Sequence, residues 1–293
     1  MAAAASPLRY PGGKACLYEL MSLILRQNKM SRLDYAEPYA GGCGLALSLL
    51  FAGDVADIHI NDIDASIWAF WHGVLEKTED LVAKIKETPV TIDQWHLQRQ
   101  IHREQNVDDA LTLGFSTFFL NRTNRSGIIT GAGVIGGQDQ KGNYLIDCRY
   151  NVDELVNRIR RIKKYKDRIH LTNLDALDFI KRAPSNLPSS TFFCIDPPYF
   201  NKGPSLYTSF YVKEDHEALA NEVLEMNFPW VVTYDQTAEI QSLYKNRRQY
   251  CFDINYSVQT KKIGTELLIA SKGLRLPDEI RERQISRPQY RAA

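Results

Sequence analysis

Asp196-Pro197-Pro198-Tyr199 follows directly on the apolar run Thr191-Phe192-Phe193-Cys194-Ile195. A β-branched and aromatic run halted by two prolines reads as a buried strand that ends abruptly, and ligands of open α/β sheets gather outside the carboxyl ends of strands. A carboxylate and an aromatic ring are therefore expected on a stiff loop at the active edge of a sheet. Proline has no N–H, so the carbonyls of Asp196 and Pro197 are left to accept hydrogen bonds from outside the local backbone. Such a loop suits a donor amine.

Other segments carry side chains of matching use. In Glu37-Pro38-Tyr39-Ala40-Gly41-Gly42-Cys43-Gly44 the glycines let the backbone approach a ligand closely, although the spacing is not the dinucleotide-binding GxGxxG. Asp62 ends the next strand, where a carboxylate can bond both hydroxyls of a ribose; the competing role is a helix N-cap, which Asp64 would serve equally well. Asp175-Ala176 sits just after another strand, where a carboxylate can cap a surface helix. Leu120-Asn121-Arg122-Thr123-Asn124-Arg125-Ser126-Gly127 packs two arginines and two asparagines beside an apolar helix end. Arg122, Asn124 and Arg125 have the shapes that read guanine and adenine edges or grip phosphates, and the alternative is a polar loop with paired arginines. On a helix, Arg158, Arg161, Lys164 and Arg168 would share one face, either solvated or set against phosphates.

The elements that must position these residues alternate. Leu33 to Glu37, Ala56 to Ile60, Ile169 to Leu171, Phe192 to Ile195, Trp230 to Tyr234 and Glu266 to Ala270 read as strands; Leu45 to Phe51, Asp215 to Met226 and Thr237 to Lys245 read as helices. This is the start of a parallel, doubly wound α/β sheet. Between about 67 and 168 the alternation breaks down, and helices are expected over Glu76 to Lys86, Ile92 to Gln105 and Asp108 to Leu120, followed by a glycine-dense piece. The block reads as an insertion (67–168) in a domain made of 1–66 and 169–293.

Composition narrows the classes. Lys and Arg number 36 against 35 Asp and Glu, so a nucleic-acid partner would have to be met by a local basic patch. The five cysteines, at 16, 43, 148, 194 and 251, are odd in number and share no metal-ligand spacing, which points to reduced thiols and no structural metal. The alanine-rich start has no charged n-region, and no apolar stretch approaches the ~18 residues of a membrane span. A cytoplasmic protein with no membrane partner is expected.

The tetrapeptide at 196–199, together with Tyr10-Pro11-Gly12-Gly13-Lys14, the segment 37–44 and Asn61-Asp62-Ile63-Asp64, resembles the Dam-like, D12 class DNA adenine N6-methyltransferases, in the family's order and across nearly the whole chain. The resemblance implies a Rossmann-like S-adenosylmethionine-dependent methyltransferase sheet, with an inserted helical and hairpin target-recognition domain whose hairpin would span Ile128 to Tyr144. It implies S-adenosylmethionine as cofactor, held by Tyr10, Lys14, Glu37, Pro38, Tyr39, Ala40, Gly41, Asp62, Asp175, Ala176 and Asp196. It implies double-stranded DNA as substrate, catalysis by Asp196, Pro197, Pro198 and Tyr199 on a flipped adenine, and DNA contacts from the Leu-Asn-Arg segment. A bacterial or phage-infected cell is the implied setting, with a cognate restriction nuclease as a candidate partner. Family members specific for GATC follow Leu-Asn-Arg closely with a glycine and an Arg-x-Asn. Here Arg149-Tyr150-Asn151 arrives only after a long glycine-rich excursion, so that specificity does not follow. Methylation of RNA adenine, cytosine N4 or a glutamine side chain stays open as an alternative, as does a catalytically silent DNA-binding relative.

Overall fold

The computed structural model describes residues 4–10, 12–200, 211–256, 262–282 and 284–286; Pro11 of the N-terminal motif lies outside them. The strands are β1 (Tyr35–Glu37), β2 (Ile58–Asn61), β3 (Ile169–Thr172), β4 (Phe192–Ile195), β5 (Trp230–Asp235), β6 (Arg248–Tyr256), β7 (Lys262–Ala270) and β8 (Gln284–Ser286). They form one mixed sheet in the order β3-β2-β1-β4-β5-β7-β6-β8. Neighbours from β3 to β5 are parallel, whereas β7 runs antiparallel to β5 and places Glu266 opposite Asp235. The start of β7 therefore lies at the same sheet edge as the ends of β1, β2, β4 and β5.

The period-two alternation of strand side chains feeds two cores. Tyr35, Ile58, Ile60, Cys194, Val231 and Leu268 face one side, while Ala36, Phe193, Ile195, Val232 and Leu267 face the other with Phe179, Ile180, Leu219 and Val223. On the first side lie helices α1 (Tyr18–Gln27), α2 (Gly44–Ala52), α3 (Ala65–Glu76), α4 (Thr78–Glu87), α5 (Ile92–Glu104), α6 (Ala110–Thr123) and α7 (Val152–Lys163). One continuous buried cluster joins Met21 and Leu47 to Trp71, Trp95, Phe118, Phe119 and Ile159, so the helices between β2 and β3 share their core with the sheet. α8 (Ala176–Asn186) and the helix Lys213–Glu225 cover the other face.

Two sequence expectations are corrected. Ile128 to Tyr144 is not a hairpin but a succession of turns with a single antiparallel bridge, Asn124 to Val134. Gly131, Gly136 and Gly137 have φ of 84°, 85° and 78°, a left-handed backbone that breaks strand pairing. The basic run is not one continuous helical face: α7 ends at Lys163, and Arg168 lies on a separate 3-10 turn, Lys166–Arg168.

Candidate active site

The ends of β1, β2 and β3 are tied together by one buried side chain. Asn61 donates to the carbonyls of Pro38 and Leu174, both at 3.0 Å, and its own oxygen accepts from Thr172 Oγ1 and the Leu174 amide. This fixes the Gly-rich turn after β1 against the neighbouring strand ends. Gly41 has φ of +45°, and a Cβ there would come within 2.7 Å of the Tyr10 ring, so only glycine fits under Tyr10. The Gly41 amide donates to Asp62 Oδ2 at 2.8 Å and its carbonyl accepts from Trp71 Nε1 at 2.9 Å.

A cavity of about 340 Å³ opens on this turn. Glu37, Tyr39 and Ala40 to Leu45 line its floor, Asp62 to Asp64 one wall, and Lys14, Asp196, Pro198 and Tyr211 another; Gly127 to Gly131 close over it from the segment between β2 and β3. Asp64 caps α3, accepting from the Ser66 and Ile67 amides, which leaves Asp62 uncommitted to a helix. Asp62 instead accepts from the Asp64 and Gly41 amides.

Asp196 is held from two sides. Thr233 on β5 donates to Oδ1 at 2.7 Å, and Lys14 Nζ lies 2.9 Å from the same oxygen. Lys14 also donates to the Gly12 carbonyl at 3.0 Å and lies 3.3 Å from Glu266 Oε2. Tyr199 donates its hydroxyl to Glu266, and Asp235 fixes the loop by accepting from the Phe200 amide at 2.9 Å. Lys14 and Glu266 are both buried, so their charges are compensated by contact rather than by water.

The electrostatics are acidic. Burial pushes the Glu37 carboxyl up to about 8, opposed by the Tyr35 hydroxyl and reinforced by Asp196. Burial likewise lifts Asp62 to about 7 despite the amides it accepts from. Asp196 is raised by burial, with Lys14 pulling the other way and Glu266 adding to the rise. Among the described residues, Glu37, Asp62, Asp64 and Asp196 line the cavity against Lys14 alone of the lysines and arginines. That set of acceptors fits a cationic ligand rich in hydroxyl and ammonium hydrogens, as S-adenosylmethionine is with its sulfonium, ammonium and ribose. It does not fit a phosphate-bearing cofactor.

Of the residues singled out in the sequence, Tyr10, Lys14, Glu37, Tyr39, Ala40, Gly41, Asp62, Asp196 and Pro198 meet at this cavity. Pro38 and Pro197 are buried beside it. Asp175 caps α8 by accepting from the Leu177 amide, with Ala176 buried behind it, and neither lines the cavity. Tyr199 is 3% exposed and turned to Glu266, so among the described residues the rings on the cavity are Tyr10, Tyr39, His102 and Tyr211. Asn124 is wholly buried, donating to the Ile128 and Ile129 carbonyls and accepting from Trp95 Nε1; it holds the loop and offers no edge to a base. Arg122 donates to the Arg149 and Pro7 carbonyls, and burial beside Arg9 and Arg158 lowers it to about 10. Arg125 is exposed, two residues before the cavity-lining loop.

The basic run splits. Arg158 pairs with Glu154 and donates to the Ser6 carbonyl. Arg161 stacks 4.1 Å over the Phe51 ring, and Arg168 donates to the Val55 and Ala56 carbonyls. Phe51 and residues 55–56 precede β2, so Arg161 and Arg168 stand at the edge opposite the cavity. Glu266, Thr233, His102 and Tyr211 were not singled out in the sequence. Glu266 had a legible signal, a lone acid heading an apolar strand; the antiparallel direction that carries it to the active edge had none.

Among the described residues, no helix is long and apolar enough to cross a membrane, and no group of three or more His, Cys, Asp or Glu is placed to hold a metal ion. No curated protein matches the chain. Among solved structures, protein LPL1258 from Legionella pneumophila str. Philadelphia 1 aligns over 92% of this chain and 90% of its own, at 11% identity and a TM-score of 0.34. The model of the D12 class N6 adenine-specific DNA methyltransferases matches residues 10–263, from Tyr10 beside Lys14 to the start of β7. The chain belongs to the D12 class N6 adenine-specific DNA methyltransferase family.

Proposed function

We propose that this protein transfers the methyl group of S-adenosylmethionine to the N6 amine of an adenine flipped out of double-stranded DNA. The observation that carries the reading is one cavity holding both the Gly-rich turn with Asp62 and the Asp196 carboxylate. The strand order, with an antiparallel β7 between β5 and β6, supports a Rossmann-like methyltransferase sheet. Glu37 and the turn Tyr39 to Gly41 would hold the methionine end of the cofactor, with Tyr10 and Lys14 flanking it, and Asp62 would accept from its ribose. When bound, the cofactor supplies a methyl group activated by its sulfonium.

The N6 amine is a poor nucleophile because its lone pair is delocalised into the purine, and inside a duplex it is also out of reach, so the base must be extruded. Thr233 and Lys14 both engage Asp196 Oδ1, and Oδ2 would accept one amine hydrogen. The Pro197 carbonyl would accept the other. Two acceptors fixed in this way favour a tetrahedral nitrogen with its lone pair directed at the methyl group, and rate comes from alignment and preorganised dipoles. Tyr39 and Tyr211 offer faces for stacking. Residues 67–168 would face the DNA as the target-recognition part, with exposed Arg125 and Arg149 beside the loop 127–131 as first contacts.

The test is incubation of the purified protein with isotopically labelled S-adenosylmethionine and, separately, duplex DNA and RNA, followed by nucleoside analysis. N6-methyladenine in duplex DNA is the expected product. Label in RNA alone, or in a base other than adenine, replaces the reading; no transfer to any acceptor leaves a silent relative.

A further inference from the structure

We propose that Glu266 is a positioning residue of this site: from β7 it anchors Lys14 and the Tyr199 hydroxyl behind Asp196, and so sets the orientation of that carboxylate and the charge around it. The inference rests on the amine-methylation reading for its purpose and on the geometry alone for its substance. Glu266 is wholly buried, yet it stands at the active edge opposite Asp235, on the same face as Thr233, which donates to Asp196. A carboxylate is costly to place there unless it is paired. Its partners include Lys14 Nζ at 3.3 Å and the Tyr199 hydroxyl. Lys14 bridges Glu266 and Asp196, lies 5.3 Å from the centre of the Tyr199 ring, and is 6% exposed. The loop after β4, strand β7 and the N-terminal segment thus converge on a single ammonium, and removing Glu266 takes one partner from both Lys14 and Tyr199.

The ionisable groups that face Asp196 are Lys14 and Cys16 from the N-terminal segment, Glu37 from β1, Cys194 from β4, Tyr234 from β5 and Glu266 from β7. Burial, then Glu266, raises the Asp196 carboxyl, and Lys14 opposes them. Glu266→Gln keeps an acceptor for the Tyr199 hydroxyl but removes one negative charge and leaves Lys14 to Asp196. The Asp196 midpoint should therefore fall.

The experiment follows the Asp196 carboxyl by carbon-13 NMR across pH in the full chain, its signal assigned by its loss in Asp196→Asn. The expected result is a lower midpoint in Glu266→Gln and a smaller shift the same way in Glu266→Asp, which keeps the charge but withdraws it by one methylene. That second variant decides the matter if the first does not fold. With DNA as acceptor, turnover of Glu266→Gln should fall about tenfold or more while the KM for S-adenosylmethionine stays within about threefold, as for a group that orients a reacting one. An Asp196 midpoint unchanged in the folded variants, with only the melting temperature lowered, overturns the assignment. The carboxyl titration needs no methyl transfer, so failure of the wild-type protein to methylate DNA would count against the proposed function and not against this inference.

Discussion

Asp62 and Glu37 are carboxyls that folding has placed where ionisation is resisted, and a cationic, hydroxyl-bearing ligand would reverse that resistance. In the free protein Asp62 loses its proton near pH 7, far above the ordinary value of 3.8. Ribose hydroxyls donate best to the ionised form, so below pH 7 binding must first expel a proton. Affinity for S-adenosylmethionine is therefore expected to fall as pH drops below about 7, and Asp62→Ala should lessen that slope, leaving the part Glu37 contributes, and cost roughly 1.5–3 kcal/mol at higher pH. Titration calorimetry in buffers of different ionisation heat reads both effects; a flat profile in the wild type removes Asp62 from the ribose. Glu37 gives a stability prediction of opposite use. Its carboxyl titrates near 8 in the fold against 4.5 ordinarily, so the native state holds a proton that the unfolded chain has lost and stability declines as pH rises across that window. Glu37→Gln removes this decline and keeps an acceptor for the Tyr35 hydroxyl. The variant should melt higher than wild type at pH 8 while binding the cofactor more weakly. Asp196→Ala, in contrast, should nearly abolish transfer and leave cofactor binding largely intact, because its carboxylate acts on the amine; a filter assay beside calorimetry separates the two.

At the scale of elements, α3 and α6 depend on one close approach. A Cβ on Gly114 would lie 2.5 Å from the Ala69 carbonyl oxygen and 2.7 Å from the Phe70 amide nitrogen, both backbone atoms that cannot turn aside. Gly114→Ala should force the helices apart and cost about 1–3 kcal/mol, read as a shift in the urea midpoint. The six strands that sequence periodicity marks are all present, because alternating β-branched and aromatic residues between turn signals leave little choice. β6 escaped since Arg248, Gln249 and Asp253 interrupt its apolar run. The 128–144 segment is expected as a hairpin from the family resemblance, but Gly131, Gly136 and Gly137 adopt left-handed turns, and Asn124 and Gln140 satisfy its carbonyls from the side. The motif residues were legible because their chemistry is local. Glu266 and Tyr211 were not, because what recruits them to the cavity is strand direction and packing.

For the whole molecule, a near-neutral chain must present a basic surface locally if it is to hold DNA, and folding redistributes the arginines that the sequence clusters. Arg9, Arg122, Arg149 and Arg158 come from four separate segments, yet they stand close enough that Arg149 depresses Arg9, and Arg9 and Arg158 depress Arg122. Glu154 is the acid that opposes them at Arg122, so the cluster gains from an anion. It adjoins the cavity cover, since Gly127 packs against the Arg9 backbone. Arg161, stacked on Phe51, lies at the far edge of the sheet with Arg168. If the phosphate backbone runs across the cavity mouth, Arg125→Gln and Arg149→Gln should weaken binding to all duplexes alike and flatten the dependence of log affinity on log salt by about one unit per contact. Arg161→Gln with Lys164→Gln should change neither, although these residues belong to the densest basic run in the sequence. Fluorescence anisotropy across salt concentrations, with site variants of the duplex, measures both pairs in one series. A loss of slope in the Arg161 and Lys164 pair with none in the Arg125 and Arg149 pair would put the DNA on the opposite edge of the sheet, out of reach of Asp196.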